Sequence, residues 1–133
     1  MRLAALAMVI ATGAASAEQA SLRALSGVDY LPLEVLFEPS DADAAARDLV
    51  RLRLVAPQIE DQELFGFEVI EPDFQMLCEH EGLRIVAESA PNAREIVVMV
   101  ASESVPFGDS APNVVQYFDL FNVEDDTCVW GGL

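Results

Sequence analysis

The sequence predicts an α+β fold in which an antiparallel sheet of about five strands is packed on one face by one main helix and tied by one disulfide. Three observations lead to this prediction. Apolar residues recur with the period of a strand on both sides of the chain's middle, one stretch between them has the period of a helix, and the chain contains two cysteines. Strands, a helix and strands again are typical of a sheet with a helix on one face.

Two alternating stretches predict the first strands. In DYLPLEVLFE, residues 29–38, Leu33, Val35 and Phe37 alternate with Glu34, Leu36 and Glu38. Pro32 suits the beginning of a strand. In DLVRLRLVAPQI, residues 48–59, Arg51 and Arg53 alternate with three apolar residues, and Pro57 ends the pattern. We expect these two strands to pair as a hairpin.

The middle of the chain predicts the main helix. Pro72 is tolerated at the first helical position, and Gly82 is a natural stop. On either side the sequence leaves alternatives open: residues 60–70 fit a short strand or a loop, and residues 83–89 fit a second short helix or the beginning of a strand. The residues spaced to share the apolar face of the helix are Ile70, Phe74, Leu77 and Cys78.

The last third of the chain predicts further strands. REIVVMVAS, residues 94–102, is a continuous apolar run, as expected for a central strand covered on both faces. Residues 105–113 contain two prolines and a glycine and are predicted to form a loop. Residues 114–123 and 128–130 then fit two antiparallel strands joined by a turn at residues 124–126.

The first 17 residues have the layout of a secretory signal peptide. Arg2 precedes an apolar run, and small residues follow it up to Ala17. The run is shorter than the roughly 20 residues needed to cross a bilayer, so we expect no stable membrane anchor after cleavage. The predicted organisation is a signal peptide over residues 1–17 and a single α+β domain over residues 18–133, with the product periplasmic or secreted.

The charge of the chain makes nucleic acids and anionic membranes poor partners. The formal net charge is −16, all 23 acidic residues follow residue 17, and there is no lysine. Nucleic acids and anionic membranes are bound by clustered Lys and Arg, so neither is an expected partner. A charge this far from zero favours solubility and does not by itself specify a function.

The two cysteines predict a disulfide. In an exported chain, two cysteines most simply pair, and no C-x-x-C motif suggests redox catalysis. Cys78 lies on the apolar face of the predicted helix and Cys128 at the beginning of the last strand. Their bridge would tie the helix to the sheet.

No metal ion or other cofactor is expected. His80 is the only histidine, its helical neighbours supply no zinc ligand, and we interpret it as solvent-exposed. Asp41 and Asp43 begin like a calcium loop, but the glycine and the terminal glutamate of that motif are missing. The acidic clusters at residues 60–63 and 124–126 fit turns that could hold Ca²⁺ only weakly.

No catalytic residue is predicted, because the chain has no recognisable nucleophile, zinc or phosphate-loop motif. Glu68, Glu71 and Asp73 remain the carboxylates that general acid–base chemistry could use. The loop residues Pro106, Phe107 and Gly108 form a candidate partner-contact site. We expect the Phe107 ring on this turn to pack into the core, with contact to a partner as the alternative.

Several motifs resemble those of a family of short exported bacterial proteins of unknown function. These motifs are an R-x-R-x-V-A-P strand, a helical cysteine, a V-P-F-G loop, a Q-F/Y-F segment and a C-x-W ending. Here they correspond to Arg51–Pro57, Cys78, Val105–Gly108, Gln116–Phe118 and Cys128–Trp130. The resemblance implies a shared fold and export and brings no known activity, cofactor or catalytic residue.

The function expected from the sequence is therefore a non-catalytic periplasmic binding or accessory role toward a protein or small molecule. A small carboxylate-dependent hydrolase and a weak calcium-binding protein are the alternatives.

Overall fold

The computed structural model describes residues 21–39 and 47–132. The predicted signal peptide and the polar connection with Asp41 and Asp43 lie outside these residues. Within them, six strands form one sheet in chain order: β1 (Leu22–Arg23), β2 (Asp29–Glu38), β3 (Leu49–Val55), β4 (Glu95–Ala101), β5 (Gln116–Glu124) and β6 (Thr127–Trp130). All neighbouring strands are antiparallel except β3 and β4, which are parallel.

The sheet corrects part of the predicted fold. One main helical segment and one disulfide are present, but the sheet has six strands and is mixed, whereas about five antiparallel strands were predicted. The direction of β4 follows from the helical segment between β3 and β4. Such a crossover carries the chain back along the sheet, so the next strand runs parallel to the previous one. The missed strand, β1, is too short to show alternation.

The helical segment is longer than predicted. After a single 3₁₀ turn (Pro57–Glu60), α1 spans Phe67–Leu77, a π-helical turn spans Cys78–Gly82, and α2 spans Leu83–Ser89. The helix therefore begins before Pro72, which lies inside α1, and the prediction that Gly82 ends it is wrong. Gly82 keeps right-handed helical angles, with φ of −61° and ψ of −49°. Residues 83–89 are helical, which decides between the two alternatives for that stretch.

The core lies between this helical segment and one face of the sheet, which we call the inner face. The expected helical face is confirmed, because Ile70, Phe74, Leu77 and Cys78 are all buried. The strands contribute their alternate residues, and an extra residue at Leu33, where the register of β2 on β3 shifts, bulges out of the ladder. The largest fully buried side chains of the inner face are Tyr30, Leu52, Leu54, Ile96 and Phe121.

The predicted hairpins are confirmed. β2 and β3 are antiparallel neighbours, and β5 pairs with β6 in the same sense. The turn between β5 and β6 places Asp125 and Asp126 at φ values of 50° and 57°, a left-handed conformation that Asp tolerates better than most residues. β4 is central as expected, between β3 and β5.

Candidate functional site

The face of the sheet away from the helices, here called the outer face, carries the predicted contact loop. Arg51 and Arg53 of β3 point to this face, because they alternate with the buried residues Leu52 and Leu54. The loop between β4 and β5 crosses the outer face and brings Phe107 over both arginines. The Cζ atoms of Arg51 and Arg53 lie 5.0 and 5.5 Å from the centre of the Phe107 ring.

Both arginines are held by several partners. Arg51 Nε donates to Glu38 Oε2 at 2.9 Å, and Arg53 forms an ion pair with Glu34. Arg53 Nη2 also donates to the backbone oxygen of Val105 at 2.5 Å, two residues before Phe107 in the chain. These contacts fix the loop on the strand, since each arginine joins a carboxylate of β2 to an aromatic face.

The expectation that the Phe107 ring packs into the core is wrong. Phe107 is 46% exposed, with one face of the ring covered by the guanidinium groups. Phe118 on β5 and Val129 on β6 are 51% and 40% exposed and lie on the same outer face, because their neighbours in sequence face inward. Phe107, Phe118 and Val129 are thus three exposed apolar side chains on the same outer face.

The carboxylates considered for acid–base chemistry do not converge. Asp73 is 4% exposed, and its Oδ2 accepts hydrogen bonds from the Tyr30 hydroxyl at 2.7 Å and the Ser26 hydroxyl at 2.5 Å. Glu68 and Glu71 are exposed on α1. Burial raises the pKa of Tyr30 above its ordinary value, and the hydrogen bond to Asp73 and that residue's charge raise it further. Asp73 therefore has a structural role between helix and sheet.

In the described part of the chain, two clefts lie beside the helical segment. The larger, about 410 Å³, lies between β2 and α2 and is mostly apolar, with Glu34, Glu81 and Arg84 among its lining residues. Arg84 donates to Glu81 at 2.7 Å and to Glu88 at 2.9 Å, and these carboxylates, Glu81 foremost, raise the pKa of Arg84. The charges there are already paired within the protein, and no described feature indicates what would fill the cleft.

The smaller cleft, about 240 Å³, lies between α1 and the last two strands. Asp119 forms part of its wall, is 4% exposed, and accepts a hydrogen bond from Trp130 Nε1 at 2.8 Å. Sequence reasoning missed this residue. The signal that could have found it is the alternation of β5, where Asp119 stands at an inward-facing position between Tyr117 and Phe121.

The acidic cluster at residues 60–63 was expected to form a turn. Asp61 Oδ1 accepts hydrogen bonds from the backbone N–H groups of Glu63 and Leu64, so this cluster forms a turn. In the part of the chain that the structure describes, no three His, Cys, Asp or Glu side chains are grouped to hold a metal ion. His80 is exposed on the helical segment, as interpreted from the sequence.

The disulfide joins Cys78 of the π-helical turn to Cys128 of β6, with the two Cα atoms 6.3 Å apart. The predicted disulfide is confirmed. Beside it, Gln75 Nε2 donates to the backbone oxygen of Cys128 at 2.7 Å and to Glu79 Oε1 at 2.8 Å. The last strand is thus tied to the helix by one covalent bond and one hydrogen bond.

Fold and sites together define a small acidic α+β domain, with a helical segment bound by a disulfide to one face of a mixed sheet. Residues 6–133 match a family of unknown function (DUF6497), and the chain belongs to this family. Comparison with curated proteins and with solved structures gives no match. None of the helices within the described residues is long and apolar enough to cross a membrane.

Proposed function

We propose that the protein is an exported, non-catalytic binding or accessory protein that contacts a protein partner through the outer face around Phe107. The observation that carries the proposal is the position of Phe107. A large aromatic ring stands 46% exposed on a loop that is fixed from below by two ion-paired arginines. Rigidly held, partly exposed aromatic side chains are enriched among residues that dominate the binding energy of protein interfaces.

The export part of the proposal is supported by the signal-peptide layout and by the disulfide. Disulfides form and persist in oxidising compartments such as the bacterial periplasm and the exterior of the cell. The bond between Cys78 and Cys128 agrees with such a compartment. The hydrolase and calcium-binding alternatives have no comparable supporting observation among the described residues.

The charge of the chain indicates the chemistry of the partner. A net charge of −16 repels another acidic surface, including a second copy of this chain. Glu34 and Glu38 border the arginines on the outer face. The partner surface that fits is an apolar patch with a basic rim, which would cover Phe107, Phe118 and Val129 and face the surrounding carboxylates.

A photo-crosslinking amino acid at position 118 tests the proposal in the exporting cell. The captured protein is then purified, and its affinity for the wild type is compared with that for Phe107→Ala. We expect Phe107→Ala to weaken binding by about tenfold or more, as truncation of a central aromatic residue does. Binding should also weaken with added salt, since charge pairing contributes to the contact.

Val69→Ala is the matched control, because Val69 is also an exposed apolar residue (47%) but lies on α1, on the other side of the sheet. It should bind like the wild type. Failure to crosslink any basic partner, or equal affinity of the Phe107→Ala and Val69→Ala variants for the captured protein, would contradict the proposal.

A further inference from the structure

The smaller cleft combines buried negative charge with aromatic walls. Asp119 of β5 lies on the inner face, and Trp130 of β6 stands next to it because Phe121 and Trp130 are directly paired across the two strands. The α1 helix closes the opposite wall. The lining residues are Glu71, Pro72, Gln75, Asp119, Phe121 and Trp130.

Asp119 has hydrogen-bonding capacity left for a ligand. Its Oδ1 accepts from Trp130 Nε1 at 2.8 Å and from the backbone N–H of Leu120 at 3.1 Å, while no described residue donates to Oδ2. Every fully buried side-chain oxygen or nitrogen among the described residues has a partner, so the unpaired Oδ2 is not fully buried, and Asp119 is one of the residues that line the cleft. The residue as a whole is only 4% exposed, a setting in which an incompletely paired carboxylate is costly.

Among the described residues, no positively charged side chain lines the cleft beside this carboxylate. The lining residues include a second acid, Glu71, and no Lys, Arg or His. The hydrogen bonds of Gln75 Nε2 to Cys128 and Glu79 use both of its N–H groups, which leaves the acceptor Oε1 as its free polar atom. The polar groups that the cleft offers to a ligand are therefore acceptors.

The aromatic walls add a second attraction for a cation. Trp130 is 60% exposed, and its indole ring is held in place by the hydrogen bond to Asp119. The faces of Trp and Phe rings attract cations, most strongly where water is partly excluded. A volume of about 240 Å³ is below the roughly 300–1,000 Å³ typical of sites for drug-sized molecules, so the cleft suits a single small group.

We propose that this cleft binds an organic cation with N–H donors, namely an alkylammonium or guanidinium group, with Asp119 and Glu71 accepting its hydrogen bonds and Trp130 covering its face. The site is independent of the proposed contact through Phe107, which lies on the other face of the sheet. Such a group can belong to a free amine or to a Lys or Arg side chain of a peptide.

Trp130 makes the test direct, because it is the only tryptophan of the chain and its fluorescence reports on this cleft alone. The full chain is titrated with n-butylammonium and n-butylguanidinium chloride, with sodium chloride at equal ionic strength and n-butanol as controls. We expect a saturable fluorescence change with the two organic cations only. The same change with sodium chloride or butanol would overturn the proposal.

Variants separate a specific site from general attraction to an acidic protein. Asp119→Asn and Glu71→Gln should each weaken binding by about tenfold, the effect of losing one charged hydrogen bond. Asn at position 119 still has an oxygen that can accept from Trp130, so the ring should keep its place. Asp125→Asn is the matched control, because it removes the same charge from the exposed turn between β5 and β6. Asn tolerates the positive φ of this position, so the variant should fold and should leave binding unchanged.

Equal affinities of Asp119→Asn, Glu71→Gln and Asp125→Asn would contradict the assignment, provided that thermal unfolding shows all three to be folded. The source of the cation is distinguished by a lysine-containing tripeptide with blocked ends. Tighter binding of the tripeptide than of butylammonium assigns the cleft to peptide side chains, and equal or weaker binding assigns it to free amines.

Discussion

Tyr30 and Asp73 link the sheet to the helix through a buried hydrogen bond. Tyr30 is fully buried, Asp73 is 4% exposed, and the 2.7 Å bond joins residues 43 positions apart in the chain. Burial, the donated hydrogen bond and the negative charge of Asp73 all disfavour the tyrosinate, so the pKa of Tyr30 is raised in the folded state. The neutral phenol is consequently part of the folded structure.

This contact predicts a loss of stability at alkaline pH. In the unfolded chain Tyr30 ionises near its ordinary pKa of 10.0, whereas the folded protein keeps the proton. The contribution of Tyr30 to the free energy of unfolding is fully present below pH 10.0. It is lost as the pH rises further, by up to about 1.4 kcal/mol per pH unit. Denaturant unfolding at a series of pH values measures this slope.

The variants Tyr30→Phe and Tyr117→Phe assign the slope to one residue. Tyr30→Phe should lose the part of the alkaline slope that Tyr30 contributes, and at neutral pH it should unfold about 1–3 kcal/mol more easily because Asp73 loses a donor. Tyr117 is the only other tyrosine and, among the described residues, donates no hydrogen bond to a buried carboxylate, so its Phe variant is the control for loss of a tyrosine hydroxyl. Identical slopes for wild type and Tyr30→Phe would refute the prediction.

The helical segment shows why a glycine in a helical pattern need not end a helix. Gly82 lies in the π-helical turn against β4, and a Cβ atom there would stand 3.0 and 3.1 Å from two carbons of Ile96. Ile96 is fully buried. The glycine therefore permits close approach of helix and sheet, and its right-handed backbone angles would be open to any residue.

Gly82→Ala is predicted to destabilise the fold although alanine is the better helix former. The gain in helix propensity is about 1 kcal/mol, whereas crowding in a packed core typically costs about 1–3 kcal/mol. We expect a net loss of about 1 kcal/mol in the free energy of unfolding, measured by chemical denaturation.

Ile96→Val supplies the control in a double-mutant cycle, because it removes the Cδ1 atom that the new methyl group would meet. Alone it should cost about 0.5–1.5 kcal/mol. Combined with Gly82→Ala it should cost less than the sum of the two single changes. Strict additivity would show that Gly82 is not held by contact with Ile96.

At the scale of the whole molecule, the disulfide closes the fold by joining the helical segment to the edge strand β6. Cys78 and Cys128 are separated by 50 residues in the chain and are both buried. β6 has only four residues and pairs with a strand on one side. A covalent link is most effective at such a place, since it restricts a long loop in the unfolded chain.

Removal of the disulfide by Cys78→Ala together with Cys128→Ala should lower the free energy of unfolding by about 4 kcal/mol, according to the loop-entropy relation. Since net stabilities are typically about 5–15 kcal/mol, this loss would be large. The measurement is denaturant unfolding of the variant and of the wild type with and without a reducing agent. Reduction should shift the wild type toward the variant and leave the variant itself unchanged, and a wild type insensitive to reduction would contradict the prediction.

Much of the architecture was predictable because its signals are local. The alternation of residues 29–38 and 49–55 indicated both strands and the faces of their side chains, and helical spacing placed Cys78 toward the sheet. With two cysteines, pairing has a single intramolecular solution. The extent of the helix was missed, because Pro72 and Gly82 are usual helix boundaries and only their surroundings show why they are tolerated here.

The candidate sites depended on contacts that no local pattern contains. The loop around Phe107 was identified from the sequence, but only the structure placed its ring over Arg51 and Arg53, more than fifty positions earlier. The cleft with Asp119 joins β5 and β6 to Glu71 of α1. A strand sequence does not state which distant helix will pack beside it.

The sequence by itself determined the types and faces of the main strands and of the helix, the single possible pairing of the cysteines, and the acidic, lysine-free surface. Tertiary structure decided the parallel direction of β4, the sixth strand, the path of the helix through Gly82 and the wall of carboxylates and aromatic rings around Trp130. The physical reason is the separation along the chain over which each signal acts. Side-chain periods of 2 and 3.6 are set by backbone geometry within a few residues, whereas strand order and clefts follow from the packing of segments that lie tens of residues apart.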